Sequence, residues 1–286
     1  MGRILVTGAS GNVGKYVAKY AIQNNQDVTV VGKHTDRLKE MFGDKANIDY
    51  FDFTDSSTFE PVLADVDRIF IMRPPQMGDA KAFLPFIDAL KAKKDLKLVT
   101  FLSLIGVEKN PFPPHHKIEE FIKDAGLPYC FIRPSFFMQN VSGVHAFEIK
   151  EFHRIVIPVK NAKTSFIDTE DIGEFTAKIL NEPESHTNTA YAITGSHALD
   201  YYEVANIMSK VLGTPITYAN PSLSLAKDYW INIRGLDKEY VSVMGMLYTL
   251  TKFGMAKGVT NTFEEVMHKK PQTFSQFVQK NIDVWK

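Results

Sequence analysis

Arg3-Ile4-Leu5-Val6-Thr7-Gly8-Ala9-Ser10-Gly11-Asn12-Val13-Gly14 is the stretch on which the reading of the fold turns. A short apolar segment runs into a glycine-rich turn, and a helix-compatible run, Lys15 to Gln23, follows. Strand, tight turn and helix start make an anion cradle. Free backbone N–H groups and the positive end of the helix dipole face one point. In the spacing Gly-x-x-Gly-x-x-Gly, Gly8 permits the turn, Gly11 lets the backbone approach a phosphate, and Gly14 lets the helix pack on the strand. The arrangement predicts a dinucleotide pyrophosphate site formed by Gly8, Ser10, Gly11, Asn12, Val13 and Gly14. An ordinary tight strand-to-helix turn is the plain alternative.

Outward from that turn, short apolar runs alternate with helical patterns. Strands are predicted at 3–7, 28–32, 48–52, 68–72, 97–102 and 129–133. Helices are predicted near 13–24, 35–42, 55–64, 77–94 and 115–125. Near-continuous apolar strands alternating with helices predict a Rossmann-type α/β fold, a doubly wound parallel sheet covered on both faces. Residues 1–152 are assigned to the NAD(P)-binding domain. Residues 153–286 are assigned to a smaller, mainly helical substrate-side lobe, with segments near 155–195 returning to the sheet. In that lobe, short strands are expected at 155–158, 165–167 and 191–193, and helices at 168–181, 200–212, 222–234, 238–254 and 273–284. The site is expected in the cleft at the carboxyl ends of the strands.

Composition narrows the class. Among 286 residues, 33 basic and 33 acidic side chains balance, so nothing favours nucleic acid or an anionic membrane surface. No apolar run is long enough for a transmembrane helix, and the N-terminus lacks a secretory pattern. Val6 stands where N-myristoylation requires Ser or Thr. A cytoplasmic protein, monomer or homodimer, is expected. The single cysteine, Cys130, excludes an intrachain disulfide, and its neighbours Tyr129 and Phe131 predict a buried inert thiol. Adjacent His115 and His116 have no third ligand that can be placed, so no metal is expected.

Further motifs run along nearly the whole chain. They are Val6 to Gly14; Phe70-Ile71-Met72-Arg73-Pro74-Pro75; Ser103-Leu104-Ile105-Gly106-Val107; Arg133-Pro134 followed by Met138-Gln139-Asn140; and Phe166-Ile167-Asp168 with Asp171-Ile172. Together with Pro271-x-Thr273-Phe274-x-x-Phe277 they resemble the NmrA-like group of atypical short-chain dehydrogenases/reductases. Within it the chain looks closest to bacterial NAD(P)H-dependent quinone, azo-dye and triphenylmethane reductase-like members. The group also includes redox sensors that bind the dinucleotide without turning it over.

The resemblance places Lys33, at the end of the second strand, where an arginine often reads the 2′-phosphate. No carboxylate appears there before Asp36. NADP(H) is favoured and NAD(H) left open, with a solvated surface charge as the plain reading of Lys33. Asp52 and Phe53 match the adenine position, although Asp52 is also a reasonable cap. Arg73 and Pro74 are placed beside the nicotinamide. Ser103 matches the family serine, whereas His115 and Glu119 stand where the usual tyrosine and lysine belong. Tyr248 and Lys252 keep the Tyr-x-x-x-Lys spacing but lie far downstream and are set aside. His115 and Ser103 are therefore the catalytic candidates, His115 as a proton donor near neutral pH. His116 is expected to face outward. Phe136, Phe137, Asn140 and Trp230 are the candidate wall for a planar acceptor. The leading expectation is an NAD(P)H-dependent oxidoreductase passing hydride directly to a quinone-like or other conjugated acceptor. Its rivals are a non-catalytic NADP(H) sensor acting through a protein partner, and an epimerase-like enzyme.

Overall fold

In the computed structural model, which describes residues 2–286, the six apolar segments of the first 134 residues become strands of one parallel sheet. The chain runs β1 (Arg3–Thr7), α1 (Gly14–Gln23), β2 (Val28–Gly32), α2 (Thr35–Phe42), β3 (Asn47–Tyr50), α3 (Phe59–Leu63), β4 (Val66–Met72), α4 (Leu84–Lys91), β5 (Leu98–Leu102), α5 (Pro114–Asp124) and β6 (Tyr129–Pro134). It continues through α6 (Gln139–Ser142), α7 (Ala146–Phe152), β7 (Arg154–Val156), β8 (Thr164–Ser165), α8 (Thr169–Asn181), α9 (Pro183–His186), β9 (Thr189–Ile193) and β10 (Ala198–Leu199). The last part holds α10 (Tyr201–Leu212), β11 (Thr217–Ala219), α11 (Leu223–Asp228), α12 (Lys238–Lys252), α13 (Thr262–Met267) and α14 (Phe274–Lys280).

The sheet order is β3-β2-β1-β4-β5-β6-β9, with every pairing parallel. The strand order reverses between β1 and β4, the place where doubly wound folds open a crevice at the carboxyl ends. Every residue of β5 is buried, as is Ile4 to Thr7 of β1, because helices cover both faces. The edge strand β3 is mostly exposed, with polar Asn47 and Asp49 blunting the open edge.

The chain divides at different points from those expected. One unit holds the chain up to Pro134 together with Thr169–Ile193; the other holds Ser135–Asp168 and Thr194–Lys286. The boundary at 152/153 is thus replaced by one at 134/135, and 169–193 goes back to the sheet unit. Side-chain packing explains the return. Gly173 of α8 lies against Tyr16 of α1, where an added Cβ would come within 2.3 Å of the Tyr16 Cβ. Fully buried Arg68 donates to the Leu180 carbonyl at 3.0 Å and to the Gly2 carbonyl at 2.6 Å. Of the segments expected to rejoin the sheet, only β9 does so. β8 pairs with β10 and β7 with β11 in separate two-stranded pieces of the second unit.

Other differences are local. The predicted helix at 55–64 is a 3₁₀ turn, Ser56–Thr58, followed by α3, and that at 77–94 is Ala80–Phe83 followed by α4. Residues 229–233 form a π-helical turn rather than the end of an α-helix. Helices α6 and α7 escaped the sequence reading, since each is too short to show a periodicity. The second unit has its own core, in which Phe166, Tyr201, Trp230, Tyr248 and Phe277 are buried.

Candidate functional site

The glycine turn takes the form its spacing requires. Gly8 has φ +62°, the left-handed region in which a side chain is strained. A Cβ on Gly14 would lie 2.3 Å from the Gly8 carbonyl oxygen, so only glycine lets α1 start this close to β1. The Gly11 N–H donates to the Gly8 carbonyl at 2.9 Å and closes the turn. No side chain caps the start of α1 at Val13, and no acidic residue lies in its first turn. Its N-terminal N–H groups and dipole are thus free of a competing carboxylate. Asn12 is exposed, Ser10 half-buried and Val13 buried. Met72, which the sequence reading passed over, closes over the turn: its Cε lies 2.4 Å from a Cβ built on Gly8 and 3.0 Å from one on Gly11.

The two candidate cofactor readers beyond the turn meet each other. Lys33 Nζ lies 2.6 Å from Asp52 Oδ2, raising the lysine pKa and lowering that of the carboxyl. Asp52 also accepts from the Thr54 N–H and hydroxyl. The Phe53 ring, next to Asp52, faces the core. It is buried among Phe51, Phe83 and Phe86, with ring centroids at 4.7, 4.9 and 5.3 Å.

Arg73 is half-buried, and its guanidinium turns back onto its own loop. Its Nη1 donates to the carbonyls of Pro74, Pro75 and Met77, tying its own loop, and its Nε has no partner. Burial lowers its pKa. His115, the second residue of α5, rests against Phe101, ring centroids 5.8 Å apart. Burial first and the Arg73 charge second push its pKa down to about 3, so at neutral pH it carries no proton to give as an imidazolium. His116 is not outward-facing: it meets the Val107 carbonyl at 2.9 Å and Glu120 at 3.2 Å.

Ser103 is held by a buried carboxylate. Its hydroxyl, 1% exposed, donates to Glu119 Oε1 at 2.6 Å. Arg133 forks onto both oxygens of Glu119, at 3.0 and 2.6 Å, and reaches Glu108 at 3.3 Å. Glu119, at the lysine place, is therefore the centre of a buried charged network, and Ser103 is engaged in it. Cys130 is buried, and burial pushes its thiol up to about 12, leaving it inert.

In the second unit, Phe136, Phe137 and Asn140 are half-buried just after β6. Trp230 does not join them. It is fully buried in the core, 5.9 Å from the His145 ring and 5.8 Å from the Tyr248 ring, so it is unavailable as a surface wall. The same packing removes Tyr248, whose hydroxyl pairs with His145. Among the described residues, no group of three or more His, Cys, Asp or Glu is placed to hold a metal ion. None of the described helices is long and apolar enough to cross a membrane.

The family described as NmrA-like matches residues 1–278. The chain belongs to that family. This NmrA-like chain is 29% identical over 282 residues to prestalk A differentiation protein A of Dictyostelium discoideum, covering 97% of the chain and 91% of that protein. It is 26% identical over 284 residues to an NAD(P)H azoreductase of Xenophilus azovorans, covering 96% of each. The structure of an NADPH-dependent quinone oxidoreductase of Escherichia coli, complexed with NADPH, superposes with a TM-score of 0.87. That likeness spans 98% of this chain and 99% of the other at 18% identity, and shows the shared fold.

Proposed function

We propose that this NmrA-like protein is an NAD(P)H-dependent oxidoreductase that reduces a quinone-like or other conjugated small molecule by direct hydride transfer. The observation that carries the reading is the glycine turn: Gly8 at φ +62°, Gly14 against the Gly8 carbonyl, and an uncapped, acid-free start of α1. These groups fit a pyrophosphate, which accepts from backbone N–H groups and is favoured by the helix dipole. The bound dinucleotide supplies the hydride.

The rest falls to the chain. Lys33 is 57% exposed, and an ion pair open to solvent is held only weakly. Its flexible stem can therefore exchange Asp52 for a ribose 2′-phosphate, which favours NADP(H) over NAD(H). Asp52 is then left to accept from the adenine amino group. Arg73 and Pro74 shape the loop after β4, beside the glycine turn, rather than gripping a phosphate. Phe136, Phe137 and Asn140 offer ring faces and an amide to a flat acceptor. With Ser103 engaged by Glu119, an electron-poor acceptor that needs no Tyr-Lys acid is the substrate class this chain suits.

The engaged Ser103 also favours a second reading, an NADP(H) sensor that acts through a protein partner. One assay separates the two. Purified protein is mixed with NADPH and a panel of quinones, azo dyes and triphenylmethane dyes, and loss of reduced cofactor is followed. Steady turnover is expected. Tight NADPH binding without oxidation across the panel overturns the reductase and leaves the sensor.

A further inference from the structure

Met72 ends β4 and is the one residue of that strand that is not buried. Its backbone is pinned beside the glycine turn, since its N–H donates to the Thr7 hydroxyl at 3.0 Å. Its side chain lies along the turn. A Cβ built on Gly8 would meet Met72 Cβ at 3.4 Å, Sδ at 3.6 Å and Cε at 2.4 Å. One built on Gly11 would meet Cε at 3.0 Å. The direction in which Gly11 lacks a side chain is the direction from which a phosphate can approach its backbone. The Met72 methyl stands in that direction.

The surroundings of this methyl are polar donors. Helix α1 begins with no side-chain cap and no acidic residue in its first turn, and the first N–H groups of a helix have no partner within it. A thioether accepts only weakly from such donors. Its unbranched, flexible chain can swing aside and leave them to a pyrophosphate.

We propose that Met72 is a modification site, at which oxidation of the thioether to the sulfoxide closes the cradle to the dinucleotide. The oxidant is a peroxide. The sulfur lone pair attacks one peroxide oxygen, an S–O bond forms and the O–O bond breaks. Sulfur is oxidised by two electrons, and the second oxygen leaves as water with both protons. The side chain is now polar, and its new oxygen accepts from the N–H groups that a pyrophosphate needs. A plug that yields becomes one that is held in place. Enzymatic reduction of the sulfoxide reopens the site. The inference concerns cofactor binding, and applies to a reductase and to a sensor alike.

Met41, Met246 and Met255 are 40, 49 and 65% exposed and react sooner, so Met72 has to be read by itself. The full-length protein is treated stepwise with hydrogen peroxide. Peptide mass spectrometry gives the sulfoxide at each methionine, and calorimetry gives the NADPH dissociation constant. Affinity should fall at least about tenfold in step with Met72 sulfoxide, and return after methionine sulfoxide reductases and a dithiol. Bound NADPH should slow oxidation of Met72 but not of Met255. Met72→Leu, compared with itself before and after peroxide, should lose less than about twofold. Met72→Gln, which carries an amide oxygen near the sulfoxide position, should bind NADPH at least about tenfold more weakly than Met72→Leu. Unchanged affinity with Met72 fully oxidised, or an equal loss in Met72→Leu, overturns the proposal. So does a Met72 that stays reduced after the exposed methionines have all reacted. No NADPH binding by the untreated protein overturns the cradle itself and the proposal with it.

Discussion

The glycine turn and the start of α5 lie at the same carboxyl edge of one sheet, yet they are made of different materials. The turn is backbone. Its requirement is the absence of Cβ atoms at Gly8 and Gly14, and its working groups are the N–H bonds that every residue but proline has. The start of α5 is built from side chains that meet across the sequence: Ser103 and Arg133 on Glu119, Phe101 against His115. A backbone site is defined by a short contiguous string. A side-chain site depends on which groups reach which: here Ser103 reaches Glu119, and burial holds the His115 pKa down.

Substitutions in the two regions test that contrast, and the largest effect belongs to the backbone. Gly14→Val puts a Cβ against Gly8 backbone atoms that cannot yield cheaply. It should cost about 3 kcal/mol of stability and reduce NADPH affinity more than about a hundredfold, read by urea unfolding and calorimetry. Gly11→Ala meets only Met72 Cε at 3.0 Å and the Gly8 carbonyl at 3.1 Å, and should cost much less. Equal affinity losses for the two would mean that close approach of the helix to the strand is not what makes the cradle.

Glu119→Gln comes next. Removing the buried Glu119 charge opposite half-buried Arg133 should destabilise the fold by about 2 kcal/mol, because a charged hydrogen-bonded group left half-paired is costly. A loss of that size in stability at unchanged NADPH affinity would show that the network is structural. A drop in NADPH affinity instead would join it to the cradle.

The third test uses pH, to which the glycine turn is indifferent because it holds no titratable side chain. His115 and the fully buried His145 both have pKa values held down to about 3, chiefly by burial. The unfolded chain takes up these protons from about pH 6.5 downward, whereas the folded chain stays neutral until far lower. Stability is therefore highest above about pH 6.5 and falls on acidification, by about 1.4 kcal/mol per pH unit for each histidine. Urea midpoints between about pH 7 and 5 should show this slope, and His145→Phe should remove one share of it. A flat profile would contradict the burial of both rings.

The smallest effect on stability is expected at Lys33, an exposed partner of Asp52. Lys33→Asp should leave the urea midpoint nearly unchanged, yet lower the preference for NADPH over NADH, measured as the ratio of the two dissociation constants. An unchanged ratio would remove Lys33 as the reader of the 2′-phosphate.

Much of the first unit was legible in the sequence because its signals are local. Strands β1 and β2 fall where the apolar runs put them, and the sheet follows from strand-helix alternation. The return of 169–193 was not fully legible, since it depends on Gly173 fitting Tyr16 and on Arg68 reaching Leu180. The burial of Phe53 and Trp230 and the partner of Ser103 were not legible, for one common reason. An aromatic ring or hydroxyl beside a motif has the same letter whether it faces a ligand or the core, and only burial and partners separate the two.

By itself, then, the sequence determined the parallel sheet, the glycine turn and the family, because these rest on periodicity, glycine spacing and contiguous motifs. Only the tertiary structure decided that Lys33 and Asp52 pair, that Glu119 holds Ser103 and Arg133, and that burial pushes the His115 pKa down. Those outcomes depend on distances between groups remote in the chain, and on how far burial strips water from a charge.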